Sequence, residues 1–236
     1  MADLSHEVNL ATEASPVWKE RETLTPDEVR ALEGIFNLES LVEKKAADPE
    51  VTFSLPSLAT DLYEEAFRPL GQSTRSYRNT NIIVVEGNLE YPEHHLVPRL
   101  MRELGVDISA LWQETVADHK DVAKVVRLCR KIHEMVYIHP FLDGNGRVTR
   151  GLIHFALRRF GYYLPDWRVE GRDGYLDAVS EAKDNPQVFE QFLTKALTSS
   201  YKKVESQLMG DPYYVLTDKL AEVSQKRGQL EKFLNA

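Results

Sequence analysis

Residues 139–150 read His-Pro-Phe-Leu-Asp-Gly-Asn-Gly-Arg-Val-Thr-Arg, a proton acceptor, a carboxylate, two glycines and two arginines in one short stretch. Apolar residues at helical spacing flank it on both sides, so it reads as a loop running into a helix that starts near Arg147. The free N–H groups and the positive dipole end of that helix would face the loop. Gly144 and Gly146 let the backbone curl so that amides converge on an anion. Asn145 adds side-chain donors, and Arg147 and Arg150, three apart, share a side and can clamp further phosphate oxygens. Asp143 would set a negative charge beside those phosphates, an unfavourable arrangement that Mg²⁺ resolves by bridging one carboxylate and phosphate oxygens. His139, with an intrinsic pKa near ~6.5, is free at neutral pH to take a proton from an attacking hydroxyl. Pro140 ends the preceding helix and Phe141 anchors the loop in the core. Asp143-Gly144-Asn145-Gly146 alone would be an ordinary tight turn; His139, Phe141, Arg147 and Arg150 around it make it a phosphate site.

The elements that must hold this loop are helices. The longest clean pattern covers 121 to about 138, with Val122, Val125, Val126, Cys129, Ile132 and Val136 at three- and four-residue steps, and it delivers His139 at its end. After the loop, Val148, Leu152, Ile153, Phe155, Ala156 and Phe160 repeat the period until Gly161, with Pro165 as a stop. Upstream, Thr25-Pro26-Asp27-Glu28 opens a helix with a capping-box pattern, and Val29, Leu32, Ile35, Phe36, Leu38 and Leu41 read as its inward face to about residue 45. A helix over about 56–67 follows, then one over 91–104 closed by Gly105, and a short one over 108–114. Beyond the loop, helices are predicted over 174–182, from 186 through 204, and over 213–234, the last a docked or partner-binding stripe. Only Asn81-Ile82-Ile83-Val84-Val85, with the turn Glu86-Gly87-Asn88, reads as a hairpin. The fold class is therefore all-α with one small β-hairpin.

At 236 residues the chain can bury a large core without covalent help. Cys129 is the only cysteine, so an intramolecular disulfide or a multi-cysteine metal site is ruled out, and it reads as core packing. With 29 Lys+Arg against 37 Asp+Glu, nucleic acid is excluded as the main partner, while a local positive pocket for a small anion is not. The first 20 residues have no apolar core and match neither a signal nor a transit peptide, and no apolar run approaches the ~18 residues of a membrane span, so the expected place is the cytoplasm. His94, His95 and His133 have no ligand-spaced companions and read as surface residues.

His139, Pro140, Phe141, Gly144, Asn145, Gly146, Arg147 and Arg150, with an acid at Asp143, resemble the signature of the Fic (Fic/Doc) family of nucleotidyl transferases. The similarity extends through Ile132-His133 and Val136-Tyr137-Ile138 ahead of the loop and Gly161-Tyr162 and Arg172-Asp173-Gly174-Tyr175 after it. It implies a Fic-type helical bundle: 1–54 a leader and regulatory helix, 55–205 the catalytic core, 206–236 a C-terminal helix. It also implies a protein adenylyltransferase in which His139 deprotonates a Ser, Thr or Tyr hydroxyl of a target protein. That hydroxyl attacks the α-phosphate of ATP, with Gly144, Asn145, Gly146, Arg147 and Arg150 on the phosphates and Asp143 on Mg²⁺. Gly146 and Arg147 keep the transferase pattern, unlike the Doc branch, which has lysine after the asparagine and phosphorylates instead.

By the same resemblance the hairpin over 81–89, with Ile82, Ile83, Val84 and Val85, is a flap that clamps an extended target segment by strand addition. Many Fic proteins are restrained by a glutamate, and Ala31-Leu32-Glu33-Gly34 resembles the end of that motif, although Val29 stands where serine or threonine is expected. Glu33 is then either an inhibitory partner of Arg150 or a plain surface residue, and a separate inhibitory chain is a further option. Competing readings are a same-fold enzyme that moves another nucleotide or removes AMP, and a non-catalytic nucleotide-binding interaction module; the intact His139 argues against the module. If the protein is an effector, its place would be a host cell after delivery.

Overall fold

The computed structural model describes residues 25–72, 75–82, 90–210 and 217–235. Among them the α-helices are α1 (Pro26–Ala47), α2 (Leu55–Phe67), α3 (Val97–Ala117), α4 (Val122–His133), α5 (Met135–Ile138), α6 (Asn145–Arg159), α7 (Gly171–Glu181), α8 (Pro186–Gly210) and α9 (Thr217–Leu234). The described residues contain no strand, and the fold is all-α. Two compact units emerge among the described residues: those up to Ala110 together with Lys131–Arg159, and Leu111–Arg130 together with those from Phe160.

In the first unit α1 opens on the predicted capping box: the Thr25 N–H donates to Glu28 Oε2 at 2.7 Å and the Glu28 N–H to Thr25 Oγ1 at 3.2 Å. Such a cap contributes about 1 kcal/mol. The inward face differs from the one expected. Ala31, Leu32, Gly34, Leu38, Val42 and Ala46 are buried, whereas Val29 and Phe36 are exposed, Phe36 by 58%. Gly34 is the reason. A Cβ there would lie 1.9 Å from the Ala66 carbonyl oxygen, so α1 meets α2 backbone to backbone and the buried stripe is centred on that contact.

Helix α1 also runs alongside α6 in the same direction. Leu38 faces Gly151, where a Cβ would come 2.9 Å from Leu38 Cδ2. Further along, His154 Nδ1 lies 2.7 Å from Glu39 Oε1 and Arg158 lies 3.8 Å from Glu43. At the far end Arg159 Nη2 donates to the carbonyls of Lys45, Asp48 and Val51 at 3.1, 2.6 and 2.9 Å, satisfying oxygens that the end of α1 leaves open.

Sequence-based boundaries shift, most plainly at Gly105 and Glu134. Gly105 does not end a helix; α3 continues through it from Val97 to Ala117 as one element. A Cβ at that glycine would stand 3.4 Å from Pro56 Cδ, an ordinary packing distance. The helix expected over 121–138 is divided into α4 and α5 at Glu134. There Glu134 N–H bonds to Lys131 O at 3.2 Å and Tyr137 N–H to Glu134 O at 3.1 Å, tighter three-residue steps that redirect the last turn before the loop.

The second unit pairs α7 with α8 and α8 with α9. Phe189, Phe192, Leu193 and Tyr201 of α8 are buried, as are Val223 and Leu230 of α9. Arg227 Nε reaches Glu205 at 2.9 Å, so α9 docks within its own unit. Cys129 is buried and its thiol is pushed up by the loss of solvent, as fits a packing residue. No helix among the described residues is long and apolar enough to cross a membrane.

Candidate active site

Helix α5 stops at Ile138 because His139 takes a left-handed conformation, φ +50° and ψ +62°, with its N–H on the Met135 carbonyl at 3.0 Å. It is the one non-glycine residue with positive φ among those described. That conformation costs roughly 1–2 kcal/mol for a residue with a Cβ, so surrounding contacts must hold it. The Tyr91 ring lies 4.5 Å from the imidazole, and Nδ1 is buried with no hydrogen-bond partner among the described residues. Burial, then the Arg78 cation, push the His139 pKa down to about 4, against the Val136 carbonyl and the Asp143 carboxylate. The ring is therefore neutral at pH 7, as the sequence reading expects, but a weaker base than a solvated imidazole.

The loop is fixed from inside. Phe141 is buried and stacks on Tyr63 at 4.1 Å and 10°, and Tyr63 stacks in turn on Phe67 at 4.6 Å. Asn145, 3% exposed, turns its amide back onto the loop: Oδ1 accepts the Phe141 N–H and Nδ2 donates to Phe141 O, both at 2.9 Å. The side chain expected to face an anion thus closes the loop, leaving backbone N–H groups as the contribution of this position. Gly144 has φ +73°, and a Cβ there would strike the Phe67 ring at 2.3 and 2.4 Å, so both conformation and space demand glycine.

Helix α6 begins at Asn145, two residues earlier than expected, which sets its first turn at the mouth of the loop. Arg147 is buried, with its guanidinium 5.0 Å from the centre of the Phe67 ring. Gly146 lies on the Arg150 side, where a Cβ would approach Arg150 Nη1 to 3.4 Å. Asp143 Oδ1 accepts the Gly144 N–H at 2.5 Å, while Oδ2 is buried with no hydrogen bond among the described residues and stands 3.9 Å from Arg147 Nη2. A carboxylate oxygen left without a donor fits a hard cation, and one protein carboxylate suffices for Mg²⁺.

Of the other expected site residues, Glu33 is exposed on α1 and no ion pair joins it to Arg150. Ile82 is half-buried without regular structure, and Ile83, Val84 and Val85 lie outside the described residues. His133 departs from the sequence reading: it is core, 2% exposed, and burial and the Arg150 cation push its pKa to about 3. Its place four residues after Cys129 on the buried stripe was the available signal. His94 is also tied down, its N–H and Nδ1 at 2.8 and 3.0 Å from Asn81 Oδ1.

One residue carried no signal in the sequence. Arg78, 5% exposed, donates Nε to His139 O at 2.8 Å, Nη1 to Thr80 O at 2.9 Å and Nη2 to Pro92 O at 2.5 Å, and its N–H to Pro140 O at 2.8 Å.

One loop of a helical domain thus presents a neutral histidine, a buried carboxylate oxygen and the open first turn of a helix, groups of the kind that can receive an anion. Comparison with known proteins points the same way. Residues 53–157 match the sequence model described as Fic/DOC family. A probable protein adenylyltransferase of Aquifex aeolicus (strain VF5) is 27% identical over 190 residues, 78% of this chain and 55% of that protein. A protein adenylyltransferase Fic of Nematostella vectensis is 28% identical over 107 residues, 45% of this chain and 23% of that protein. The chain thus spans about half of the first relative and about a quarter of the second. The crystal structure of a Fic domain containing signaling protein from Bacteroides thetaiotaomicron VPI-5482 superposes with a TM-score of 0.60 at 15% identity, over 98% of this chain and 85% of that one, a likeness of fold.

Proposed function

We propose that this chain transfers AMP from ATP to a hydroxyl of a target protein. The observation that carries the reading is the loop closed by Asn145 on Phe141, which brings a neutral imidazole and the opening turn of α6 into one structure. The relatives named as protein adenylyltransferases support the same class. In this reading the amides of Asn145, Gly146 and Arg147 and the side chains of Arg147 and Arg150 hold the polyphosphate. Asp143 Oδ2 would hold Mg²⁺, which supplies charge neutralisation on the phosphate oxygens. His139 takes the proton of the incoming hydroxyl as the new O–P bond forms at the α-phosphorus. The bond to the bridging oxygen breaks in line, and pyrophosphate leaves with the electron pair.

Glu33 is proposed as an internal restraint on this site. The parallel register of α1 on α6, read from the Leu38/Gly151, Glu39/His154 and Glu43/Arg158 neighbours, supports this reading: extrapolated toward the start of α1, it would bring Glu33 level with the opening turns of α6 that bear Arg147 and Arg150. The stretch 81–89 is proposed as the docking edge for the target segment.

The test is label transfer from α-labelled ATP with Mg²⁺, in lysate and with purified protein, for wild type, His139→Ala and Glu33→Gly. Labelled bands from wild type that vanish with His139→Ala, and strengthen with Glu33→Gly, are expected. Equal labelling by wild type and His139→Ala overturns the assigned base. A product mass other than +AMP, or nucleotide bound without pyrophosphate release, moves the assignment to another nucleotide or to a binding module.

A further inference from the structure

We propose that Arg78 is a positioning residue for His139, holding the backbone and the ring of the base from two sides at once. The inference rests on the reading of His139 as the base for AMP transfer, and it starts from an energetic oddity. Arg78 is almost fully buried, yet its guanidinium meets three carbonyl oxygens and no carboxylate among the described residues. A buried cation without a counter-charge is expensive, and its retention calls for a task beyond packing.

The contacts identify that task. Nε holds the carbonyl of His139, the residue in the strained left-handed conformation, and the Arg78 N–H holds the next carbonyl, Pro140 O. Two bonds to successive carbonyls hold the two peptide planes that follow His139. Nη2 holds the Pro92 carbonyl, directly after Tyr91, whose ring packs on the imidazole. Nη1 binds Thr80 O, which keeps the Arg78 segment itself in place. One planar, five-donor fork thus joins the backbone beneath the base to the aromatic wall beside it, a geometry that the single ammonium of lysine cannot reproduce.

The experiment compares wild type, Arg78→Met and Arg78→Lys by steady-state AMP transfer, binding of a non-hydrolysable ATP analogue, thermal unfolding, and the ring proton resonances of selectively labelled histidines. Arg78→Met is expected to lower kcat about 100-fold, the scale of a misplaced catalytic group, with analogue affinity within about threefold. Arg78→Lys should recover part of kcat. The His139 ring signal, assigned through His139→Ala, should shift or broaden in Arg78→Met while those of His154 and His119 stay. A kcat within threefold of wild type overturns the proposal, as does a loss of analogue binding and of fold stability in proportion to kcat in both variants. If wild type transfers no AMP, the adenylyl reading fails separately, and the His139 resonance alone decides: an unchanged ring signal in Arg78→Met refutes the positioning role.

Discussion

Asn145→Ala separates two tasks that the same side chain could perform. Read from the sequence, the amide of Asn145 donates to a bound phosphate; in the structure it is 3% exposed and holds the Phe141 N–H and carbonyl at 2.9 Å each. Truncation would remove two hydrogen bonds of about 1 kcal/mol each, and would leave a buried donor and a buried acceptor unpaired at about 1–3 kcal/mol apiece where they cannot find a substitute. Partial relaxation brings the expected loss to about 2–4 kcal/mol. For a chain of this length that is a fall in melting temperature of roughly 4–15 °C. Asn145→Asp keeps an acceptor for the Phe141 N–H but sets a second carboxylate oxygen against the Phe141 carbonyl, so it should not rescue the fold. Calorimetric melting and titration with a non-hydrolysable ATP analogue, run on the same samples, give the answer. Loss of stability with a matching loss of analogue binding is expected, because the loop that presents α6 is no longer closed. An Asn145→Ala protein that melts within about 1 °C of wild type and yet binds the analogue more weakly would refute the loop-closing role and restore direct phosphate contact.

Further outcomes follow from the same site. The acid limb of kcat/KM is expected near pH 4, where free-enzyme His139 takes up its proton, with the limb in kcat displaced upward because bound phosphates favour the imidazolium; a limb in kcat/KM near 6.5 would contradict the buried placement. His139 contributes stability in the same window: its folded pKa lies below the unfolded value, so the unfolded chain binds the extra proton and stability falls as pH drops from about 6.5 toward 4. At its full extent this amounts to roughly 3 kcal/mol, and melting His139→Ala at pH 7 and pH 5 should show a flatter pH dependence than wild type. Gly144→Ala should cost about 2–5 kcal/mol, from the left-handed backbone and the Phe67 clash together, read by chemical denaturation. Gly34→Ala must push α1 away from the Ala66 carbonyl, since backbone cannot rotate aside; lower stability with increased AMP transfer is expected if Glu33 restrains the site, and lower stability alone if it does not.

What the sequence disclosed and what it withheld divide along the range of the interactions. The capping box at Thr25 and Glu28, the helix ending in a histidine and the glycine with positive φ at 144 are matters of neighbours a few residues apart, and each is found where local pattern puts it. The errors are of another kind. Phe36 fits an inward helical position as well as Leu38 does, and what exposes it is the backbone contact between Gly34 and Ala66, fixed by a partner helix. Gly105 carries the same letter as a helix-ending glycine, yet the helix runs through it to Ala117. His133 reads as a surface residue for want of ligand-spaced companions, although its spacing from Cys129 puts it on the buried stripe; inside a strongly periodic helix that spacing is the better guide.

Arg78 shows why a motif can be complete in the sequence and still lack a part of its machinery. The residues from His139 to Arg150 hold the groups that could touch a nucleotide, but the left-handed conformation that aims His139 is not stable by itself. Its restraint arrives from 61 positions upstream through a side chain whose partners are all backbone carbonyls, and carbonyls are common to every residue type. No pattern of side-chain identities can announce such a contact. The residues proposed to act on a substrate are therefore legible from the chain, whereas the residue proposed to support their geometry becomes visible only when the buried cation is traced to the oxygens it serves.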